Sequence, residues 1–273
     1  MERAGLAWWE AEALTATGRF AHAFTTRRGG VSEAEYGGLD LGYGSGDDPE
    51  RVGRNRRLLL EALGLGGRPF VAARQVHGDE LLVIRGAADA QAAADRPADG
   101  LLTASPEVAV AVLTADCLAV LLADPERGAV AAVHAGWRGA AQRIAGKAVR
   151  RMADEFGCRP ASLLVALGPC VGPCCYEVDA PVLERFAAAF PGQEGVYARP
   201  RGGGKALLDL AAAVRLDLKE TGIKDENVTV IGQCTACQPG EFYSYRRNGP
   251  KTGRLAAVIG LMEGTTCREE RGP

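Results

Sequence analysis

The chain has no excess of charge of either sign. Its 32 basic and 34 acidic residues leave a net charge of -2 over 273 residues, with no long run of one sign. The broad positive face that nucleic acid or an anionic membrane requires is therefore absent, and a small-molecule substrate is expected, with neither nucleic acid nor membrane as partner. Long apolar runs are lacking too: Val108 to Ala123, the longest, contains Thr114 and Asp116 and falls short of the ~20 residues that a bilayer span needs. The opening MERAGLAWWEAEAL carries acidic residues in its apolar stretch and neither a basic start nor a small-residue cleavage site. No export leader is expected, and the predicted location is cytoplasmic. Histidine is scarce, with three in all, which confines imidazole chemistry to His22, His77 and His134.

What is present points to a globular α/β protein. A hydrophobic content of 47% is enough for a sizeable core, and residues 1–273 read as one domain. Eight cysteines without an export leader suggest reduced thiols, for metal binding, catalysis or core packing, rather than a disulfide framework. Neighbouring residues of an extended chain point to opposite faces, so the adjacent Cys174 and Cys175 also argue against a simple framework.

Strands are predicted over Arg19–Thr26, Phe70–Arg74, Glu80–Ile84, Ala109–Leu113, Ala119–Leu122, Ala129–His134, Leu163–Leu167, Val228–Ile231 and Leu255–Leu261, most of them apolar runs buried on both faces. Helices are predicted from Pro49 to Leu63, capped by Asp48, from Arg138 to Phe156, from Asp179 to Phe190 and from Lys205 to Thr221. The glycine-rich segment between the first strand and the first helix is long enough to line a site. Strands outnumber helices and do not alternate with them strictly, so a mixed-sheet αββα sandwich fits better than a doubly wound parallel sheet.

Two of the histidines stand just beyond apolar strands, in RQVHGDE and AVHAGWRG, and between them VLTADCLAVLL places Asp116 and Cys117 at a break in an apolar run. Two imidazoles and a thiolate make a zinc site with an open position, where the ion's remaining charge acidifies water or polarises a substrate oxygen. The separations, 40 residues (117 minus 77) and 17 (134 minus 117), match no compact zinc motif. The same residues would also serve as a cysteine nucleophile with a histidine base for acyl transfer, or as a trigonal copper set. His22, inside FAHAF, is the weakest candidate. Arg56, Arg138, Arg246 and Arg247 are candidates for anion recognition, Arg138 at the expected positive end of its helix. CTAC, Cys234 to Cys237, has CxxC spacing with no second CxxC to complete a ribbon. A separate structural zinc from it with Cys170 and Cys174 is an open alternative. Gly202 to Gly204 read as a flexible turn.

Taken together, FTTRRGGVS, VGRNRR, RQVHG, PADGLLT, TADCLAVLL, HAGWRG, GPCVGPCCYEV and FYSYRRNGPKTGR resemble the laccase-domain family, also called multicopper polyphenol oxidase or purine nucleoside phosphorylase. The resemblance implies a single-domain αββα sandwich similar to the catalytic domain of cytotoxic necrotizing factors, with zinc held by His77, Cys117 and His134. It implies phosphorolysis of adenosine, inosine, guanosine and methylthioadenosine, with adenosine deamination beside it, and hence a purine nucleoside and phosphate as partners of a monomer or homodimer. Two positions depart from the family pattern: Ala119 stands in place of proline and Asp40 in place of asparagine. Asp40 puts substrate preference in question. Three histidines cannot build a trinuclear copper cluster, so oxidase activity would need a single copper at the same three residues or ligands from several subunits. On this reading Arg56, helped by Arg138 or Arg246, binds phosphate. Cys117 belongs to the catalytic centre, and for deamination Asp116 or Glu80 is the expected proton carrier.

Overall fold

In the computed structural model, residues 1–262 and Gly264 are described; the end of the expected 1–273 domain, with Cys267, lies outside them. The apolar runs form two six-stranded sheets. In the first, Leu255–Leu261 lies at the centre between Phe20–Thr25 and Ala109–Thr114, antiparallel to both, while Phe70–Val71 runs parallel to Ala109–Thr114 at one edge. In the second, Leu118–Asp124 and Ala129–Ala135 form an antiparallel centre, flanked by Leu164–Leu167 and Gly100–Thr103, with parallel strands Val228–Val230 and Leu81–Val83 at the two edges.

Side-chain alternation divides the core into layers. Val110, Val112, Ala257 and Ile259 of the first sheet meet Leu121, Ala123, Val130 and Ala132 of the second in one buried cluster, so the two sheets pack face to face. The other face of the second sheet, through Val120, Leu122, Ala131 and Val133, is covered by Ile144, Ala148, Val149 and Met152 of helix Ile144–Phe156 and by Val214 and Leu218 of helix Leu210–Glu220. The outer face of the first sheet packs Ala109, Ala111 and Val258 against Leu59 and Leu60 of helix Pro49–Ala62. These are the four layers of an αββα arrangement, built from mixed sheets as expected. Burying each such aliphatic side chain contributes roughly 1.5–3 kcal/mol, which is why apolar runs covered on both sides form the centre of each sheet.

Helix Pro49–Ala62 starts as predicted, with Asp48 accepting a hydrogen bond from the Glu50 amide at 2.8 Å and Gly64 at φ 74 beyond its end. Two expected helices are corrected. The segment from Arg138 to Phe156 is two helices, Trp137–Ala141 and Ile144–Phe156, because Arg143 between them takes a left-handed φ of 62°. Its guanidinium is held by Glu220 at 2.6 Å and lies over the Phe190 ring, contacts that sequence periodicity does not register. The segment from Lys205 to Thr221 begins as a strand, Lys205–Leu208, and only then becomes helix Leu210–Glu220, capped by Asp209. The turn at Gly202 to Gly204 folds Lys205–Leu208 back on Ala198–Gly202, forming a small three-stranded sheet with Glu177–Val178. Helix Ala87–Asp95 was not anticipated. Among the described residues, no helix is long and apolar enough to cross a membrane.

Candidate metal centre

The break read in VLTADCLAVLL is where the chain passes from one sheet to the other, leaving the first at Thr114 and entering the second at Leu118. Cys117 therefore sits at the mouth of the space between the sheets. His134 lies opposite Ala119 in the strand register, and its parity with Val130 and Ala132 points it to the inter-sheet side. His77 occupies a bend between the Phe70–Val71 and Leu81–Val83 strands, with φ 59°. Fold, rather than spacing, brings the three together. Their ligand atoms all lie within 4.8 Å of one another, Cys117 Sγ is 3.8 Å from His77 Nε2, and the two imidazoles meet edge to face.

Asp99, fully buried just before strand Gly100–Thr103, orients the group. Its Oδ1 is 2.8 Å from His134 Nδ1 and accepts the His77 amide at 3.0 Å, while Oδ2 accepts the amides of Val76 and Gly78 at 3.1 and 2.7 Å. One carboxylate thus fixes the bend carrying His77 and reserves His134 Nδ1, leaving Nε2 for a ligand on the other side. Burial works to raise the Asp99 pKa, but the hydrogen bonds from His134 and Gly78 outweigh it and hold the carboxyl below its ordinary range. Gly136 is needed for close approach: a Cβ there would stand 3.0 Å from His77 Cδ2 and 3.1 Å from Cys117 Sγ.

Burial opposes a Cys117 thiolate, yet His134 and His77 bring its pKa down to about 6. Burial likewise opposes a His134 imidazolium, yet Cys117 and Asp99 carry it up to about 9. A thiolate facing two imidazoles, one with its far nitrogen committed to a carboxylate, is a donor set suited to a borderline-soft divalent ion. His22 takes no part: it is buried in its strand, accepts the Ala11 amide through Nε2 at 2.9 Å, and burial lowers its pKa to about 4.

The three residues lie in a cleft of about 900 Å³ that also reaches Arg56, Arg138, Arg246 and Asp116. Arg56 is clamped between the Tyr43 and Phe70 rings, 4.3 and 4.5 Å from their centroids, and its Nε and Nη2 donate to the Leu41 carbonyl. Among the described residues no carboxylate is in ion-pair contact with it; burial outweighs the longer-range pull of Tyr43 and Asp40 and lowers its pKa to about 10, so a desolvated cation faces the cleft. Arg138 is exposed, lies over the Trp137 ring and belongs to a helix of only five residues, too short for much dipole. Arg246 donates to the carbonyls of Cys175 and Glu177 at 3.2 and 2.7 Å. Arg247 is not part of the cleft lining; its guanidinium is spent on the carbonyls of Thr235, Ala236 and Phe242.

Asp116, at φ 98°, is buried, and its carboxylate accepts the Thr235 hydroxyl and the Arg246 amide, each at 2.5 Å. Glu80 is exposed and outside the cleft lining. Asp40 is fully buried and accepts the amides of Gly42 and Arg254 and the Ser45 hydroxyl, which sets the loop that carries Tyr43. Sequence reasoning passed over Asp99 and the cleft aromatics Tyr43, Phe70, Trp137, Tyr176 and Tyr245. For Asp99 the available signal was an acidic residue placed against an apolar run in PADGLLT.

Residues 21–262 match the family described as Multi-copper polyphenol oxidoreductase laccase. The chain is 44% identical over 247 residues to a protein of Deinococcus radiodurans named Purine nucleoside phosphorylase, covering 90% of this chain and 91% of that one. Its fold is similar to the crystal structure of YlmD from Geobacillus stearothermophilus, with a TM-score of 0.89 at 34% identity over 96% of this chain and 98% of that one. It is also similar to the Bacillus licheniformis protein YfiH, with a TM-score of 0.85 at 33% identity over 89% and 93% of the two chains. The protein therefore belongs to the laccase-domain family, the YfiH-like group described as multi-copper polyphenol oxidoreductase laccase, several of whose members are named purine nucleoside phosphorylase.

Proposed function

We propose that the protein is a zinc-dependent purine nucleoside phosphorylase acting on adenosine, inosine, guanosine or methylthioadenosine, with adenosine deamination as a side activity. The observation that carries this reading is the cleft itself: a His77, Cys117 and His134 donor set shares it with Arg56, a cation clamped between two rings and without a carboxylate partner among the described residues. Relatives named for phosphorolysis support it.

In phosphorolysis an oxygen of phosphate forms a bond to the sugar C1′ as the C1′–N9 bond breaks, and the purine leaves with the bonding electrons and takes a proton. Arg56 holds the phosphate, and Arg138 and Arg246 add positive charge along the same cleft. The aromatic lining accepts a purine face, and a cleft of about 900 Å³ has room for a nucleoside and phosphate together. His77, Cys117 and His134 would hold the zinc ion, which would supply Lewis acidity towards an oxygen of phosphate or substrate. Asp116 holds the backbone of Arg246 through its carboxylate and lines the cleft, where it is the proposed proton carrier for deamination. Zinc fits better than blue copper, since the cleft lining contains no methionine and Gln75 is committed to Leu113.

A second reading has its own observation. Cys117, His134 and Asp99 also form a thiol, imidazole and carboxylate series suited to a cysteine hydrolase of the amidase type. A nucleoside panel with and without inorganic phosphate, with ribose 1-phosphate and ammonia quantified, separates the two. Phosphorolysis predicts a free purine and the corresponding sugar 1-phosphate, ribose 1-phosphate or for methylthioadenosine its 5-methylthio analogue, in equal amounts and only with phosphate present. No phosphate-dependent product from any nucleoside, or base release that ignores phosphate, overturns the proposal.

A further inference from the structure

Two turns meet behind the wall of the cleft that carries Tyr176 and Arg246. One contains Cys174 and Cys175; the other is the Cys234-Thr-Ala-Cys237 turn, and parallel backbone pairing of Cys170 with Cys234 joins their bases. All four sulfurs lie within 4.8 Å of one another, with Cys237 Sγ 3.5 Å from Cys174 Sγ and 3.3 Å from Cys175 Sγ. We propose that Cys174, Cys175, Cys234 and Cys237 bind a second, structural zinc as a tetrathiolate site that clamps the 170–177 segment to the 233–237 segment.

Geometry favours an ion over disulfides. Zinc in a tetrahedron of four sulfurs at about 2.3 Å sets every S···S edge at about 3.8 Å; two of the observed separations are 3.5 and 3.3 Å and all lie within 4.8 Å, so small adjustments admit the ion. Cys237 approaches two partners at once, which one disulfide cannot satisfy, whereas an ion at the centre engages all four. The surrounding backbone is prepared for thiolates. The Gly172 amide donates to Cys234 Sγ at 3.2 Å, and Gly172 lies so close that a Cβ there would stand 3.4 Å from Cys174 Sγ. Four thiolates around a divalent cation leave two negative charges, and two guanidiniums flank the site. Arg247 donates to the carbonyls of Thr235 and Ala236 within the CxxC turn, and Arg246 to that of Cys175. Cys174 and Cys237 are exposed, and thiols so placed and unligated would be open to oxidation.

The clamp sits where it orders the cleft. The Tyr176 amide donates to Gly172 within the first turn, and Thr235 of the second holds Asp116, which in turn holds the Arg246 amide. In such a site zinc stiffens one wall of the cleft without touching the substrate.

The test is metal analysis of full-length protein produced with zinc, combined with X-ray absorption and alkylation. The proposal predicts two zinc ions per chain in the unaltered protein. A His77→Ala/His134→Ala variant keeps one, with sulfur neighbours alone at about 2.3 Å, and a Cys234→Ser/Cys237→Ser variant keeps one in a mixed nitrogen and sulfur shell. Should the cysteine variant fail to fold, the unaltered protein still decides the matter: peptide mapping should show these four thiols shielded from iodoacetamide until a chelator is added under native conditions. No zinc in the histidine variant, iron in its place, or alkylation of the four thiols at the same rate with and without zinc overturns the site. Failure of the central site instead leaves one ion bound by sulfur alone, a distinguishable result.

Discussion

At Asp99 one carboxylate accepts from three consecutive amides and binds His134, so a single side chain controls the placement of two of the three candidate metal donors. Replacing it by alanine frees His134 Nδ1 and loosens the His77 bend. Zinc affinity should fall by roughly 10–100-fold, the range for loss of such a partner, as read by competition with a chromophoric chelator; unchanged affinity would contradict the role given to it. Arg56 is the residue for which phosphate binding is most exposed to test. In Arg56→Gln the rings remain but the charge is lost, so KM for phosphate should rise about 10–100-fold, equivalent to the roughly 1.5–3 kcal/mol of a hydrogen bond to a charged group, with zinc content unchanged. His22 carries a pH prediction independent of catalysis. Burial sets its folded pKa at about 4, below the unfolded value of 6.5, so the neutral form is the one folding favours. Its contribution is complete above pH 6.5 and is lost as pH falls towards 4, at most about 3 kcal/mol over that window. Urea midpoints between pH 7 and 4.5 should fall less steeply for His22→Gln than for the unaltered protein; parallel slopes would contradict this.

Among the elements, the contact between helices Ile144–Phe156 and Leu210–Glu220 depends on a missing side chain. Gly146 donates its amide to the buried Asp217 at 2.6 Å, and a Cβ at Gly146 would stand 2.4 Å from Asp217 Oδ1 and 3.0 Å from its Cγ. Helix propensity alone predicts that Gly146→Ala stabilises by up to about 1 kcal/mol. Displacing a buried carboxylate from its amide outweighs this, and a net loss of about 1–3 kcal/mol is expected in denaturant titration; a rise in stability would refute the packing argument. Most strands were legible because long apolar runs buried on both sides, such as Leu118–Asp124 and Leu255–Leu261, carry their own signal. The break at Arg143 was not, because no glycine or proline marks it and its side chain is held by Glu220 and Phe190, distant in sequence. Strand Lys205–Leu208 is illegible in the sequence for a related reason. Four residues hold too few alternations to tell the two periods apart, and pairing across the Gly202 to Gly204 turn decides the outcome.

For the molecule as a whole, the packing of two sheets between helices creates one end at which the sheet-to-sheet crossing, a strand terminus and a bend converge. The candidate donors come from three elements. Local context singles out His77 and His134 just beyond apolar strands and Cys117 at a break in an apolar run, but separations of 40 and 17 residues match no compact motif and could not bring them together. The motifs that resemble the laccase-domain family identified all three, and the fold brings their ligand atoms together. Asp99 escaped notice because a carboxylate that acts through another residue has no spacing of its own. The central site opens to the cleft, and the cysteine cluster lies behind the wall that carries Tyr176 and Arg246. Most directly, the account is tested by the rate of phosphorolysis in zinc-loaded protein, after chelation, and after zinc is restored, with folding followed by circular dichroism. Loss of several kcal/mol of transition-state stabilisation predicts a drop of at least about 100-fold on chelation, full recovery with zinc, and no recovery in Cys117→Ser. Undiminished phosphorolysis in folded, metal-free protein would contradict the role assigned to His77, Cys117 and His134.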